Sequence, residues 1–290
     1  MVNASSRILI GTHTFAARHD AARRQATAAA SLAALTRADI VNVQFTTAPH
    51  ALPDIETLAV LQLTSNAVSG RTGPVKPVMS EILDALAFEA RRRSLPYFCF
   101  TNGDIIFSQR AVDWMLDARL DAYVFSREDV DATTGAAIGM QLAGTDVVAF
   151  SAAWWPGQRH RFRAYIAGEG GWDNVYTAVT LTHSNAVIEN REGLVRHEAH
   201  PPGPMPSPHF GAYTNYLAAR DAWYFDRWCK YWDGLVRMRG EGATVERERA
   251  FAREIFAWPP PPRQRAIQIA RNLKAVVRYG VWKARHGESA

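Results

Sequence analysis

One stretch decides the fold: Leu95-Pro-Tyr-Phe-Cys-Phe-Thr-Asn-Gly-Asp-Ile-Ile-Phe107, where a run of apolar strand formers stops at Thr101-Asn102-Gly103-Asp104. The apolar run predicts a buried strand, and the Asn-Gly pair predicts a turn directly after it. In open α/β sheets, ligands bind at the carboxyl ends of the strands. We therefore expect Asn102 and Asp104 at a sheet edge where a ligand binds.

Two interpretations of this turn are open from the spacing alone. Asp104 and its oxygen-bearing neighbours supply the ligand type that Mg²⁺ and Mn²⁺ prefer, and such an ion can hold a diphosphate. The alternative is an ordinary strand-turn-helix corner in which Ser108 caps the next helix.

Composition limits the class of protein. The chain has 290 residues, 48% of them hydrophobic, which suits one large domain with or without an appendage. Cys99 and Cys229 lie far apart and are typical of reduced thiols in the cytosol. No apolar run reaches the ~20 residues of a spanning helix, and the first residues lack a signal-peptide pattern. We expect a soluble, cytoplasmic protein.

The net charge of +5 is unevenly distributed. Seven basic residues and no acidic residue lie between Arg263 and Arg285, so the remainder of the chain carries −2. Apolar residues recur at helical spacing within this stretch, which predicts a basic amphipathic helix. Two roles are open for residues 263–285: docking on an anionic membrane surface at the inner face, or packing on the same domain or in a dimer. The sequence has no nucleic-acid-binding motif, and we expect no such partner.

The first half of the chain alternates strand and helix signals. Strands are predicted at 7–12, 40–45, 58–63, 122–126 and 145–151, besides the stretch quoted above, and helices at 16–35, after a cap at Ser80, and around 112–116. Repeated βα units of this kind predict an α/β fold with a mainly parallel sheet flanked by helices. We predict one domain over residues 1–258, helical over 213–258. A C-terminal appendage over 259–290 would contain a proline linker and the basic helix.

The second half carries two further polar motifs, Gly168-Glu-Gly-Gly-Trp-Asp-Asn174 and Arg196-His-Glu-Ala-His200. Asp173 and Asn174 are predicted to open a helix, because both residue types are good helix caps. The proline-rich segment 201–208 that follows His200 predicts a loop around both histidines. No His-Glu-X-X-His order occurs and no cysteine is near, so a zinc site is not expected.

Taken in order, four motifs resemble those of a bacterial branch of the GT-A-type nucleotide-diphospho-sugar glycosyltransferases. They are Thr-Asn-Gly-Asp-Ile at a strand end, Gly-Thr-Asp-Val-Val-Ala-Phe, Gly-Glu-Gly-Gly-Trp-Asp-Asn and His-Glu-Ala-His. The resemblance covers roughly residues 7–230. The resemblance implies a GT-A-like fold and a metal held by the last Asp of an Asp-X-Asp motif. Asp104 matches that position, whereas Asn102 stands where the first acidic residue is expected and is left to bind the ribose or a metal-bound water.

The resemblance also implies roles at the nucleotide. Thr12, at the end of the first strand, matches the position that holds the nucleobase and ribose, and the alternative is an ordinary loop residue. Lys76 lies where a cation often reaches the diphosphate, and the alternative is a solvated lysine. His197 matches a late metal ligand and His200 a donor-binding position, and the alternative is a pair of structural or surface histidines.

Asp173 is the predicted catalytic base. Glycosyl transfer needs a group that takes the proton from the acceptor hydroxyl, and a carboxylate beside apolar surface can have its pKa raised enough to do so. Trp172 would provide that surface and a platform for the sugar, with Asn174 at the donor. The alternative role for Asp173 is a helix cap.

The predicted function is therefore transfer of a sugar from a nucleotide-diphospho-sugar donor to a glycan or lipid-linked acceptor in surface polysaccharide synthesis, assisted by Mn²⁺ or Mg²⁺. Two alternatives remain: a non-catalytic sugar- or nucleotide-binding scaffold on the same fold, and a nucleotidyltransferase. The second is disfavoured because no glycine-rich triphosphate loop with Lys or Arg follows the first strand.

Overall fold

The computed structural model describes residues 6–141, 145–186, 188–189, 191–201, 209–259 and 262–286. The strands are β1 (Ile8–His13), β2 (Ala38–Phe45), β3 (Glu56–Leu61), β4 (Tyr97–Asn102), β5 (Ile105–Phe107), β6 (Ala122–Phe125), β7 (Arg127–Val130), β8 (Ala137–Gln141), β9 (Val147–Ser151), β10 (Ile188–Glu189) and β11 (Val195–Glu198). The helices are α1 (His19–Ala33), α2 (Ser65–Ser69), α3 (Met79–Arg92), α4 (Gln109–Ala118), α5 (Trp155–Gln158), α6 (Trp172–His183), α7 (Gly211–Arg220), α8 (Ala222–Gly240), α9 (Val245–Ile255) and α10 (Pro262–His286). Of the two predicted proline-rich segments, 201–208 and 259–262, residues 202–208 and 260–261 lie outside the described residues.

Seven strands form the larger sheet in the order β10-β6-β9-β4-β1-β2-β3. All neighbouring strands are parallel except β9, which runs antiparallel to β4 and β6. The predicted α/β class with a mainly parallel sheet flanked by helices is confirmed. From β1 the sheet grows toward β2 and β3 on one side and toward β4 on the other. In open α/β sheets the ligand crevice lies at such a switch point, outside the carboxyl ends of the strands.

The central strands are buried on both faces, which explains their continuous apolar runs. Ile8, Leu9 and Ile10 of β1 and Phe98 of β4 are fully buried. Helix α3 comes very close to β1 at Gly11, where an added Cβ would lie 2.3 Å from Leu86 Cδ2. Glycine is therefore needed at this position for close helix-to-sheet packing.

A second, smaller sheet has the order β5-β11-β7-β8. The turn at Gly103 and Asp104 carries the chain from β4 in the larger sheet to β5 in the smaller one, and Ser126 does the same between β6 and β7. Strand β11 pairs antiparallel with β5 and parallel with β7. The smaller sheet therefore begins at the carboxyl ends of β4 and β6.

The chain divides into two compact units. The first comprises residues up to 62, 81–159 and 184–201 and contains both sheets, and the second comprises 63–80, 160–183 and the residues from 202 onward. In the second unit α6 packs on α8, α7 on α10, and α8 on α9. An added Cβ at Gly234 would lie 2.2 Å from the ring of Phe251, so this glycine lets α9 approach α8. The predicted domain boundary at residue 259 stays a prediction.

Several local predictions can now be compared with the structure. Ser108 caps α4 by accepting a hydrogen bond from Ala111 N, as predicted for an ordinary corner. Helix α3 begins at Met79, so Ser80 lies inside the helix and the predicted cap is wrong. The predicted loop around His197 is also wrong, because this residue belongs to β11. Pairing on both sides of β11 outweighs the nearby prolines.

None of the described helices combines the length and hydropathy that a membrane span requires.

Candidate metal centre

The turn between β4 and β5 sets the position of the first candidate ligand. Asn102 is the last residue of β4, and Gly103 and Asp104 form the turn. Gly103 lies against the end of β1, where an added Cβ would be 2.9 Å from Thr14 Cγ2 and 3.1 Å from His13 O. The close contact holds the turn at the carboxyl end of β1, which brings Asp104 to the sheet's switch point.

Strand β11 brings His197 to the same place. In register, His197 lies opposite Ile105 of β5 on one side and Asp129 of β7 on the other. Because directly opposite residues share a face of the sheet, His197 and Asp129 point the same way. The next residue, Glu198, accepts hydrogen bonds from both Arg23 guanidinium nitrogens and so ties β11 to α1.

Three ligand atoms converge at this point. His197 Nε2 and His200 Nε2 are 3.2 Å apart, and Asp104 Oδ2 lies 3.6 Å from the first and 3.5 Å from the second. All three lie within 4.8 Å of one another, as the ligands of one metal ion would. The described residues thus bring together the two predicted metal ligands, Asp104 and His197, and add His200, which was predicted to bind the donor.

The hydrogen bonds of the His197 and His200 rings indicate which nitrogen of each ring carries the proton when the ring is neutral. His197 Nδ1 lies 3.0 Å from Asp129 Oδ1, and His200 Nδ1 lies 2.9 Å from the carbonyl oxygen of Pro201. A backbone carbonyl oxygen and an ionised carboxylate oxygen can only accept hydrogen bonds. In its neutral form each ring therefore donates from Nδ1 and keeps a lone pair on Nε2. Two lone pairs and a carboxylate oxygen then face one another with no proton between them. A cation fits this arrangement, and one carboxylate with two imidazoles is an ordinary ligand set for a divalent transition metal.

The electrostatics of Asp104 suit the same role. Burial raises the pKa of this carboxyl, but His197 and His200, when they carry a proton on Nε2, lower it by more through hydrogen bonds and charge, so the net pKa lies below its usual value. The carboxylate is therefore ionised at neutral pH, as a metal ligand must be.

A network of charged side chains supports the cluster. Asp129 Oδ1 also accepts from Arg127 Nε at 3.1 Å, and Arg127 pairs in turn with Asp146. Asp146 Oδ1 accepts from Asn102 Nδ2 at 2.9 Å. The chain of contacts runs from the candidate ligand His197 back to Asn102 at the end of β4. In metal sites such outer partners fix the ring orientation and the tautomer of the ligating histidine.

Asp129, Arg127 and Asp146 are functional candidates that sequence reasoning missed. Strand β7 is short, and its sequence Arg-Glu-Asp-Val has the appearance of a solvated charge run. The available signal was that Arg127 and Asp129 are two residues apart and so share one face of a strand. Without the register of β11 against β7, nothing in the sequence relates that face to His197.

The carboxyl ends of β1 and β2 form a second polar region beside the turn. Thr12 is buried, and its hydroxyl has no hydrogen-bond partner among the described residues. Asn42 Nδ2 donates to Thr14 Oγ1 at 3.0 Å, and Gln44 Nε2 donates to Thr14 O at 2.8 Å. Burial lowers the pKa of His13 although its Nδ1 bonds the carbonyl oxygen of Val43. Thr12 was predicted, whereas the alternating amides of Asn42 and Gln44 in an apolar strand were a signal that went unused.

In the second unit, Lys76 is engaged in an ion pair. Its Nζ donates to Glu169 Oε1 at 2.7 Å, and the Glu169 side chain is 2% exposed. The other oxygen, Glu169 Oε2, is buried and has no hydrogen-bond partner among the described residues. The interpretation of Lys76 as a freely solvated lysine is therefore wrong, while a role at a diphosphate stays a prediction. Glu169 lies in one of the motifs that carried the resemblance.

The motif around Asp173 forms the start of α6. Trp172 is buried and packs edge-on against Tyr176, with ring centroids 6.1 Å apart, so little of its indole is open to a sugar. Asp173 and Asn174 are half-exposed in the first turn, where a carboxylate interacts favourably with the helix dipole. The predicted roles of these three residues in catalysis and donor binding stay predictions.

The fold and site together define a mixed α/β protein with a candidate metal centre at the carboxyl ends of its sheet. No family model matches the chain, and no curated protein matches it.

Solved structures with a similar fold include S. aureus TarS in complex with UDP-GlcNAc, at 10% identity and a TM-score of 0.47, covering 74% of this chain and 64% of that one. The chain therefore spans a little under two thirds of that protein chain. The mannosyltransferase PcManGT from Pyrobaculum calidifontis, in complex with GDP-Man and Mn²⁺, matches at 12% identity and a TM-score of 0.39, covering 98% of this chain and 76% of that one.

A cytidylyltransferase from Leptospira borgpetersenii matches at 10% identity and a TM-score of 0.33, covering 56% of this chain and 66% of that one. Glycosyltransferases are thus among the matching structures, the class that the sequence resembles. At TM-scores below 0.5, none of these similarities assigns an activity or a substrate to this chain.

Proposed function

We propose that the protein is a glycosyltransferase that moves a sugar from a nucleotide-diphospho-sugar to an acceptor hydroxyl, with a divalent metal ion bound by Asp104, His197 and His200. One observation carries the proposal: Asp104 Oδ2 and the Nε2 atoms of His197 and His200 converge at the carboxyl end of β4, beside the switch point where open α/β sheets bind their ligands. The resemblance found in the sequence adds the class of reaction, because Asp104 stands at the metal-binding position of the Asp-X-Asp motif.

The proposal gives each side chain of the centre a task. Asp104 Oδ2 and the two Nε2 atoms hold the metal ion, and Asp129 keeps the His197 ring in the tautomer that leaves Nε2 free. Bound there, a divalent ion would supply a Lewis acid for the charge that develops on the diphosphate leaving group. Thr12 is proposed to contact the nucleoside, since its buried hydroxyl lies unpaired at the end of β1.

The remaining roles rest on the resemblance. Asp173 is proposed as the base that takes the acceptor proton, with Trp172 and Asn174 at the donor sugar. Lys76 is proposed to reach the diphosphate, which would require it to leave Glu169. The acceptor is proposed to be a glycan or a lipid-linked saccharide.

We propose Mn²⁺ as the preferred ion. Mg²⁺ favours oxygen ligands and keeps much of its water, whereas two of the three ligands here are imidazole nitrogens. Zn²⁺ also accepts two histidines and a carboxylate, so it is the ion against which Mn²⁺ is best compared.

The test is nucleoside diphosphate release from a panel of nucleotide-diphospho-sugars. The 290-residue chain is incubated with each donor and Mn²⁺, Mg²⁺ or Zn²⁺, with and without free and lipid-linked saccharides. We expect at least one donor to release nucleoside diphosphate, fastest with Mn²⁺, and the release to stop after chelation. Asp113→Asn removes a partly exposed carboxylate of the first unit that pairs with Arg37 and not with the cluster, and it serves as the matched control.

Two other results would contradict the proposal. Donor binding without release across the panel indicates a non-catalytic scaffold on the same fold. Pyrophosphate release from a nucleoside triphosphate and a sugar phosphate indicates a nucleotidyltransferase.

A further inference from the structure

The outward face of α10 is apolar. Leu273 is 64% exposed and Val277 is 65% exposed, against 7% for Ala275 on the same helix. The exposed apolar residues of this helix are Ile267, Ile269, Leu273, Val276, Val277 and Val281. A helix that packs on its own protein usually buries its apolar stripe and exposes its polar one. In α10 most of the large apolar residues are exposed instead.

The opposite face of α10 packs on the second unit through polar and aromatic groups. Tyr279 stacks on Tyr216 with ring centroids 4.4 Å apart, and its hydroxyl donates to Ser69 O at 2.9 Å. Gln268 Nε2 donates to Arg220 O at 2.9 Å. These contacts hold the helix in place and so fix the direction in which the apolar face points. Packing on the same unit, one of the two roles open from the sequence, therefore holds for one face only.

Basic side chains border the exposed face. Helix α10 carries Arg263, Arg265, Arg271, Lys274, Arg278, Lys283 and Arg285, all exposed, and no acidic residue. At 3.6 residues per turn, Arg265 and Lys283 fall along one edge of the apolar face, and Lys274 and Arg278 fall along the other. Arg271 Nη1 pairs with Asp226 Oδ2 at 2.7 Å.

We propose that this face, which we call the α10 face (exposed apolar residues 267–281 with their basic borders), docks on an anionic lipid surface. Apolar residues flanked by Lys and Arg match the layered chemistry of a membrane interface, where acyl chains lie beneath anionic head groups. A second copy of the chain is the rival occupant. Joining two α10 faces would bring two sets of seven positive charges together, which opposes association at low salt.

This inference does not depend on the proposed function, because it concerns a surface of the second unit. If the proposed function is also correct, docking would concentrate the enzyme where lipid-linked acceptors are found.

The test is co-sedimentation of the whole chain with vesicles of phosphatidylglycerol and phosphatidylcholine, and with vesicles of phosphatidylcholine alone. We expect binding to the anionic vesicles at low salt, release as salt is raised, and much weaker binding to the neutral ones. The variant Leu273→Gln/Val277→Gln removes apolar area from the face and should lower the partition coefficient about 10- to 100-fold. The matched control Phe88→Gln/Ile138→Gln changes two equally exposed apolar residues of the first unit and should bind like the unaltered protein.

Circular dichroism of the Leu273/Val277 and Phe88/Ile138 variants shows whether the fold is retained, which is expected because all four side chains are exposed.

A further variant, Lys274→Gln/Arg278→Gln, tests the basic border. It should lower binding about 10- to 30-fold at low salt and lose most of this effect at high salt. Absence of vesicle binding overturns the proposal, as does equal binding by the Leu273→Gln/Val277→Gln variant. Sedimentation velocity without lipid completes the test: a dimer that this variant abolishes, together with no vesicle binding, identifies a second copy as the occupant.

Discussion

Two charged clusters lie at opposite ends of the strands of the larger sheet, one at the amino-terminal edge and one at the carboxyl-terminal edge. They differ in how their carboxylates are paired. At the amino-terminal edge, three carboxylates meet three guanidinium groups, namely Asp39, Glu56 and Glu89 with Arg7, Arg92 and Arg93. At the carboxyl-terminal edge, Asp104 lies beside the imidazole rings of His197 and His200, and among the described residues no Lys or Arg forms an ion pair with it. Arg127 is paired with Asp129 and Asp146 and acts on Asp104 only through longer-range charge. The charges of the first cluster are balanced by the protein itself, whereas we propose that a bound metal ion balances the charge of Asp104 in the second.

The amino-terminal cluster has the properties of a structural ion-pair network. Hydrogen bonds from Arg92, opposed by burial and reinforced by Arg93, lower the pKa of Glu89 to about 2. Arg93 also forms two hydrogen bonds with the Glu56 carboxylate, at 2.8 and 2.7 Å. These contacts join the end of α3 to the start of β3, so their effect is on folding stability.

The comparison indicates how a structural ion-pair cluster differs from a candidate ligand-binding cluster in an α/β protein. Both clusters contain a carboxylate with a lowered pKa, so a shifted pKa alone does not distinguish them. What distinguishes them is whether the ligand atoms are already paired with fixed positive charges. The following predictions test this distinction, from the largest expected effect to the smallest.

Replacing Asp104 should remove activity and leave the fold intact. Asp104→Asn deletes the only carboxylate among the three ligand atoms, and we expect transfer to fall by at least about 10³-fold. The thermal midpoint should change little, because the side chain lies in a turn and supports no sheet contact. Nucleoside diphosphate release and a thermal melt measure the two effects. Full activity in this variant would place the reaction elsewhere.

Asp173→Asn tests a carboxylate that belongs to neither cluster. If it is the base, kcat should fall about 10²- to 10⁴-fold while donor affinity is unchanged, since the group acts on the acceptor hydroxyl only in the transition state. Steady-state kinetics and donor titration provide the two values. An unchanged kcat would leave Asp173 as a residue that stabilises the start of α6.

Asp129→Asn tests the support of the carboxyl-terminal cluster. The weaker acceptor should hold the His197 ring less firmly in its ligating tautomer, and Mn²⁺ affinity should fall about 10- to 100-fold. Isothermal titration with Mn²⁺ measures the loss. Asp113→Asn, which removes a partly exposed carboxylate of the same unit, is the control and should bind like the unaltered protein. Equal losses in the two variants would mean that general charge, and not ring orientation, is what matters.

Glu89→Gln should act on stability alone. Glu89 is 3% exposed and paired with two arginines, and its loss should lower the free energy of unfolding by on the order of 2 kcal/mol. Denaturant unfolding measures this change, and Mn²⁺ titration should give the same affinity as the unaltered protein. A loss of metal affinity would break the distinction between the two edges.

The same variant has a defined dependence on pH. The pKa of Glu89 is lower in the folded than in the unfolded protein, so its contribution is complete above the ordinary carboxyl pKa and is lost as pH falls toward about 2. The stability difference between the unaltered protein and Glu89→Gln should therefore shrink as pH falls below about 4.5. A difference that is constant over this range would show that the ion pairs contribute little.

The sequence predicted the larger sheet well because most of its strands contain an apolar run and are separated by clear turn and helix signals. It placed Asp104 correctly at the carboxyl end of a buried strand, because the apolar run ends there and an Asn-Gly turn follows directly. It failed for β11, where the strand state of His197 depends on pairing with β5 and β7 and not on local composition. The role of Asp129 could not be predicted for the same reason, because 68 residues separate it from His197.

The measurement that tests the account most directly is Mn²⁺ titration of the unaltered protein, Asp104→Asn and Glu89→Gln under one condition at neutral pH. The account predicts saturable Mn²⁺ binding to the unaltered protein and to Glu89→Gln with equal affinity, and an affinity at least about 10²-fold weaker for Asp104→Asn. Equal Mn²⁺ affinity in Asp104→Asn and the unaltered protein, with both chains folded, would contradict a metal centre at the carboxyl end of β4, as would the absence of binding to the unaltered protein.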